Sequence, residues 1–226
     1  MYSWFSAGRN NPERQRSGVT LVEILIVTVV ITLMAAVSFP VYKIIQQREK
    51  EKRLRKILYS VRSAIAGSKS SLSMTEFYEG HRNYVMAYGM RKIEELRSDG
   101  DLFDDVATIS RNFTKIAAFG PSTPQNLLEA NYTITVDVET GDSVRPTFTI
   151  NIPIDRRFLR QIPPHPFLGW VPNARFEFKP KVKDGTVSED TLAFSDPRWG
   201  VNASGVADIV SRGAGLALNG SQTDGW

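Results

Sequence analysis

The sequence predicts an α+β chain: a long N-terminal transmembrane helix packed on a head with a small antiparallel β-sheet. Three observations predict it. Between Glu23 and Lys43 lie 19 consecutive residues without a charge, nearly all aliphatic. Behind them Leu54, Ile57, Leu58, Val61 and Ile65 recur at spacings of three, one, three and four, which puts them on one helical face. Farther on, residues 133–138 and 147–152 alternate polar and apolar side chains around a turn, the pattern of a hairpin with one buried face.

Composition alone describes an ordinary soluble chain. Its 226 residues are 42% hydrophobic and 23% charged, with a formal net charge of +4 and no cysteine. Such a length is enough to bury a core. Lack of cysteine excludes a disulfide-stapled scaffold, a cysteine-ligated zinc site and thiol chemistry.

The uncharged run, Ile24 to Tyr42, is the first element. As a helix it extends roughly 28 Å at about 1.5 Å per residue, which matches the hydrocarbon core of a bilayer. Other readings fit less well. A buried core helix shows a polar stripe, and Thr28, Thr32 and Ser38 are too few and too mild to make one. A secretory signal cut after Ala36 or Ser38 would need an n-region about twice the usual length, ending in a glutamate. An ordinary single-pass anchor explains the length but not two anomalies. Glu23 sits at the mouth of the apolar run, where a carboxylate calls for a partner. Pro40 lacks the N–H that would bond the carbonyl of Ala36, so it should kink or locally melt the helix.

Beyond Pro40 the helix continues through residues 43–67, with Lys50 to Lys56 on its solvated side, interspersed with Glu49 and Glu51. Ser68–Ser73 reads as a linker or a helix end. A second helix is expected from about Thr75 to Arg97, with Met86, Met90, Ile93 and Leu96 as its apolar stripe, although Gly80 and Gly89 weaken it. Asp99, Asp101, Asp104 and Asp105 form an acidic turn that lacks the glycine and distal glutamate of an EF-hand loop. Then comes the hairpin, with Ile134, Val136 and Val138 facing Phe148, Ile150 and Ile152 across a turn containing Gly141, Asp142 and Ser143. Prolines 153, 163, 164, 166 and 172 punctuate an irregular stretch, and Phe176-Glu177-Phe178 offers a third strand. The two histidines, His81 and His165, stand in no ligand or triad spacing, and no phosphate-cradling glycine loop occurs. They read as surface or packing residues, and the chain as a non-enzyme.

Ahead of the apolar run stands Arg14-Gln-Arg-Ser-Gly18-Val-Thr-Leu-Val-Glu23. This segment resembles the class III leader and cleavage junction of type IV pilins and of the pseudopilins of type II secretion. Gly18 matches the residue before the cut, and Val19 the new N-terminus, which the resemblance implies is N-methylated. Counted from Val19, Glu23 is the fifth residue and Pro40 the twenty-second, where family members carry a glutamate and often a proline. Val19 departs from the usual phenylalanine. The implied organisation is a cleaved basic leader over 1–18, a transmembrane and filament-core helix over 19–42, its amphipathic continuation over 43–67, and a periplasmic α+β head over 68–226, a pilin-like layout. Cleavage would leave an amine on Val19 to pair with the Glu23 carboxylate, on its own helix or a neighbour's. Removing one partner of such a pair strands the other at a cost of several kcal/mol.

The charge pattern pulls against this orientation. Seven basic residues follow the run closely (Lys43, Arg48, Lys50, Lys52, Arg53, Arg55, Lys56) and three precede it (Arg9, Arg14, Arg16). Positive-inside counting alone keeps the C-terminal part in the cytoplasm, whereas the resemblance puts it in the periplasm; the rule is weaker for a long translocated domain. Without the leader the chain has 25 basic and 23 acidic residues, a balance that requires no nucleic acid.

The tail, Asp196-Pro-Arg-Trp-Gly200, then Ala207 to Gly215 and Asn219 to Trp226, is similar to that of major pseudopilins, whose C-terminal loop binds calcium. Here Gly215 replaces the loop aspartate, leaving Asp208, Ser211 and Asp224 as the candidate calcium ligands, fewer than a hard cation takes. The resemblance implies a structural subunit of a type II secretion pseudopilus, which helps folded proteins cross the outer membrane. Its partners would be a prepilin peptidase, other copies and minor pseudopilins in the filament, and an inner-membrane assembly platform with a cytoplasmic ATPase. A minor type IV pilin is the alternative: absence of cysteine favours the pseudopilin, since many pilin heads close a loop with a disulfide, while the length favours a minor subunit. A generic single-pass anchored periplasmic binding protein is the second alternative.

Overall fold

The computed structural model describes residues 18–67, 80–98, 106–169, 175–182, 185–201, 205–213, 217–219 and 221. The leader over 1–17, the linker Ser68–Ser73, the expected helix start at Thr75, the acidic turn at 99–105, Pro172, Gly215 and Asp224 lie outside the described residues. The chain divides into two compact units, Met1–Gln46 and Gln47–Trp226.

A long apolar N-terminal helix and a small head with two antiparallel two-stranded sheets make up the fold. Helix α1 spans Leu21–Ala66. It runs without a break past Pro40, so the expected local melting does not occur; the ring removes one backbone donor and the helix continues around it. Gly67, with φ +91°, ends it in the left-handed conformation, and its N–H bonds the Ser63 carbonyl at 2.7 Å. The returning chain presses Gly80 so close that a Cβ there would lie 1.9 Å from the Gly67 nitrogen, so only glycine fits.

In the second unit, Leu54, Ile57, Leu58, Val61 and Ile65 are all buried, as their spacing predicts. They pack with Leu127, Phe167, Phe178, Leu192, Trp199, Val206 and Ile209 into one core. Each fully buried aliphatic side chain contributes roughly 1.5–3 kcal/mol, so this face is what fixes the distal part of α1 to the head.

A second core lies between α2 (His81–Ser98), α3 (Val106–Ala117) and the hairpin of β1 (Tyr132–Glu139) and β2 (Thr147–Ile154). The hairpin follows the alternation: Val136, Val138, Ile150 and Ile152 are buried, and Ile134 and Phe148 pack partly buried beside them. On its open face Thr135 bonds Asn151 at 3.1 Å and Thr149 bonds Asp137 at 2.7 Å, both pairs directly opposite in register.

Helix α2 differs from its expected stripe. Its buried side is His81, Val85, Gly89 and Ile93, while Met90 is exposed and Met86 only partly buried. The cause is α3, an element the sequence reading does not contain. Its Ile109, Phe113 and Ala117 form a buried row, and the Phe113 ring lies flat against Gly89, where a Cβ would stand 1.9 Å from its Cζ. The glycine that weakens the helix in isolation is the seat of that ring.

Phe176 and Phe178 do lie on a third strand, β3 (Arg175–Lys181), but it pairs with β4 (Gly205–Arg212) in a separate sheet. The register shifts between Lys179 and Pro180, where proline cannot donate to the ladder. Glu177, buried on this sheet, takes hydrogen bonds from Thr191 and Arg175 and faces Arg212. Burial alone would raise its pKa; those hydrogen bonds and cations outweigh it and hold the carboxyl below its usual range.

Candidate functional site

Gly18, Val19 and Thr20 are exposed and precede the helix, and among the described residues nothing lies within 4 Å of where a Cβ on Gly18 would stand. A glycine without close neighbours suits the close approach of a peptidase. Helix α1 then starts on a cap: the Glu23 N–H reaches the Thr20 carbonyl at 3.1 Å and the Thr20 hydroxyl at 3.3 Å, and the Ile24 N–H bonds the Thr20 carbonyl at 3.3 Å. Thr20 is therefore the N-cap and Glu23 the third helical residue, the Thr-x-x-Glu order of a capping box. A carboxylate in the first turn also favours the positive end of the helix dipole. The cap uses the Glu23 backbone, and the carboxylate itself has a local role only through the dipole.

From Leu21 to Gln46 every described side chain is exposed, including Leu33 at 63% and Val37 at 66%. No core covers this apolar run, which separates it from the buried helix of a soluble domain. Its mild polar groups are silenced inside the helix. Thr28 donates to the Leu25 carbonyl at 2.9 Å, Thr32 to Thr28 at 2.7 Å and Ser38 to Met34 at 2.7 Å, so the surface offers hydrocarbon almost alone. At the distal end stand Phe39, Tyr42 and Lys43, with the Lys43 ammonium 4.4 Å from the Phe39 ring centre, a combination suited to a membrane–water interface. By length and composition α1 is able to cross a membrane.

The candidate metal ligands do not converge. Asp208 and Ser211 lie on β4 three residues apart, which puts them on opposite sides of the strand. Both carboxylate oxygens of Asp208 accept from Arg62, at 2.7 and 3.2 Å, and Arg62 also donates to the Ile209 carbonyl at 3.1 Å. Asp208 therefore belongs to an ion pair that ties α1 to the free edge of β4, not to a cation cradle. Ser211 is fully buried against His165, 2.9 Å away. Among the described residues no group of three His, Asp or Glu side chains could hold a metal.

Both histidines are interior. His165 Nδ1 accepts the Phe167 N–H at 3.2 Å, so its proton sits on Nε2 and donates to Ser211; burial pushes its pKa down. His81 is 1% exposed, edge-on to Phe158 and stacked on Tyr132, with no partner for either nitrogen among the described residues. Burial, and then the charge of Arg82, lower its pKa to about 4. The Asp-Pro-Arg-Trp-Gly turn is equally structural. Asp196 accepts the Arg198 N–H at 2.9 Å and both arms of its guanidinium, while Trp199 enters the first core and donates to the Ala193 carbonyl at 2.8 Å.

Two functional features escape a reading of the sequence by motif: the Thr20 cap, whose Thr-x-x-Glu signal is present but overlaps the junction, and the Arg62–Asp208 bridge, whose partners lie 146 residues apart. No family model matches the chain, and no curated protein or solved structure matches it either.

Proposed function

We propose that this chain is a filament-forming pseudopilin of a type II secretion system, stored in the inner membrane by α1 and processed after Gly18, with its head in the periplasm. The observation that carries the reading is the two-part character of α1: exposed all round over Leu21–Gln46 and uncharged over Ile24–Tyr42, one-sided and buried in the head over Leu54–Ile65. A helix of that kind suits storage in lipid and later packing against equivalent helices, while the head is carried at its other end. The junction residues Gly18, Val19 and Glu23 and the proline at 40 add the resemblance already described. In this reading the role is mechanical rather than catalytic: copies are added from the membrane by an ATPase-driven platform, and the growing rod moves folded cargo.

Co-expression of the full chain with a prepilin peptidase tests the proposal. A membrane-bound, faster-migrating product is expected, lost in Gly18→Val; a chain that stays full length with active peptidase contradicts it. A second reading, a single-pass anchored head that never assembles, is favoured by one observation. Glu23 stands in the first turn of α1, where the helix dipole favours a carboxylate without any partner chain.

A further inference from the structure

Two cations of the head have no acid partner among the described residues. Arg82, in the first turn of α2, is half-buried; its Nε is buried without a partner, and no described residue bonds its guanidinium. Lys181, at the end of β3, is half-buried too, and its ammonium has the Ala118 carbonyl, at 2.5 Å, as its polar partner. Both reach the same turn, Ala118 to Gly120, which follows α3. The Arg82 Nη2 lies 3.7 Å from the place a Cβ would take on Gly120, and the Lys181 ammonium stands 5.8 Å from the centre of the Phe119 ring.

Burial lowers the pKa of each group, and the charge of Arg82 lowers that of Lys181 further. Among the described residues no carboxylate acts in the other direction on either. Elsewhere in the head Asp208 is matched by Arg62, Asp196 by Arg198, and Glu177 by Arg175 and Arg212, while the half-buried Arg156, whose Nε and Nη2 are also without a described partner, lies against the Tyr84 and Phe158 rings at 5.1 and 5.2 Å. Two neighbouring cations taken partly out of water without a counter-charge are costly. Beside the same turn opens a cavity of about 420 Å³, lined by Phe119, Gly120, the hydroxyl-bearing Ser122 and the apolar Val85, Ile116 and Ile134.

We propose that Arg82 and Lys181 form an oxyanion-binding site at the Ala118–Gly120 turn, which takes a small soluble ligand bearing a phosphate or carboxylate group. An oxyanion between them neutralises both charges and supplies the acceptor that the guanidinium lacks, in the bidentate manner arginine favours. The cavity gives the rest of the ligand room, with Ser122 as a further donor.

The test uses the full chain in a neutral detergent, titrated with inorganic phosphate or with acetate and followed by calorimetry and by the thermal midpoint, against sodium chloride at matched ionic strength. A saturable heat and a raised midpoint are expected with at least one of the two anions, and the tighter one identifies the ligand's head group. Arg82→Gln and Lys181→Gln should each weaken binding by about 10- to 100-fold, the worth of one charged hydrogen bond. Arg82→Lys, which keeps the charge but not the fork, should weaken it less. Because unbound cations repel, Arg82→Gln should unfold no earlier than the wild type without ligand, which keeps the comparison clear of misfolding. Effects equal to those of chloride, or binding unchanged in both glutamine variants, would overturn the proposal.

Discussion

Replacing His81 with phenylalanine should remove most of the acid sensitivity of the head between pH 7 and pH 5. The imidazole packs against Tyr132 and Phe158, neither nitrogen has a partner among the described residues, and its pKa falls from 6.5 to about 4. Folding therefore favours the neutral ring, while the unfolded chain takes up the proton as soon as the pH drops below about 6.5. Stability is complete above that value, declines through the window and stops declining below about pH 4. The whole shift corresponds to about 3 kcal/mol, of which about 2 kcal/mol falls between pH 7 and pH 5. Phenylalanine fits the aromatic surroundings and cannot titrate. Urea unfolding of the full chain in neutral detergent, read by near-ultraviolet circular dichroism at several pH values, measures the difference. His165 also has a lowered pKa, so the variant should keep the smaller slope that His165 supplies. Equal pH slopes for wild type and His81→Phe would refute the argument.

Three further outcomes follow from the same geometry. Thr20→Ala should fray the start of α1 at a cost of about 1 kcal/mol and leave assembly intact, whereas Glu23→Ala, which keeps the capped backbone N–H, should leave a membrane-resident monomer; normal filaments from Glu23→Ala, scored by sedimentation, would show that assembly does not need the carboxylate. Gly89→Ala gains up to about 1 kcal/mol of helix propensity but drives a methyl into the Phe113 ring. Overpacking of about 1–3 kcal/mol makes the net effect destabilising, and Phe113→Leu in the same chain should restore the lost thermal midpoint. Reporter fusions at the C-terminus should show it outside the cytoplasm; cytoplasmic activity would mean that the seven basic residues from Lys43 to Lys56 set the orientation.

What the sequence reveals and what it hides have physical causes. The apolar run, the buried face from Leu54 to Ile65 and the β1–β2 hairpin are legible because each buries one side against something continuous, so the period survives in the residue order. Helix α3 carries such a period too, with Val106, Ile109, Phe113, Ile116 and Ala117 on one side, so the expectation missed a signal that the sequence contains. Strand β4 is hidden for a physical reason. It is covered on both faces, with Ile209 and Val210 both buried, so no alternation remains. The α2 stripe is misplaced because Gly89, not a methionine, meets the unrecognised α3. At the junction the sequence shows Gly18, Glu23 and Pro40, but the cap that ties Glu23 to Thr20 becomes visible only once the helix is seen to begin at Leu21. Asp208 reads as a lone acid in a tail and proves to be half of a bridge to Arg62.

The central claim is processing followed by assembly, and the N-terminal mass of the chain purified from its own membranes tests it most directly. The account predicts a species that begins at Val19, one methyl group heavier than the bare amine, with residues 1–18 absent. A membrane-bound population that keeps residues 1–18 would contradict it and leave α1 as a plain anchor.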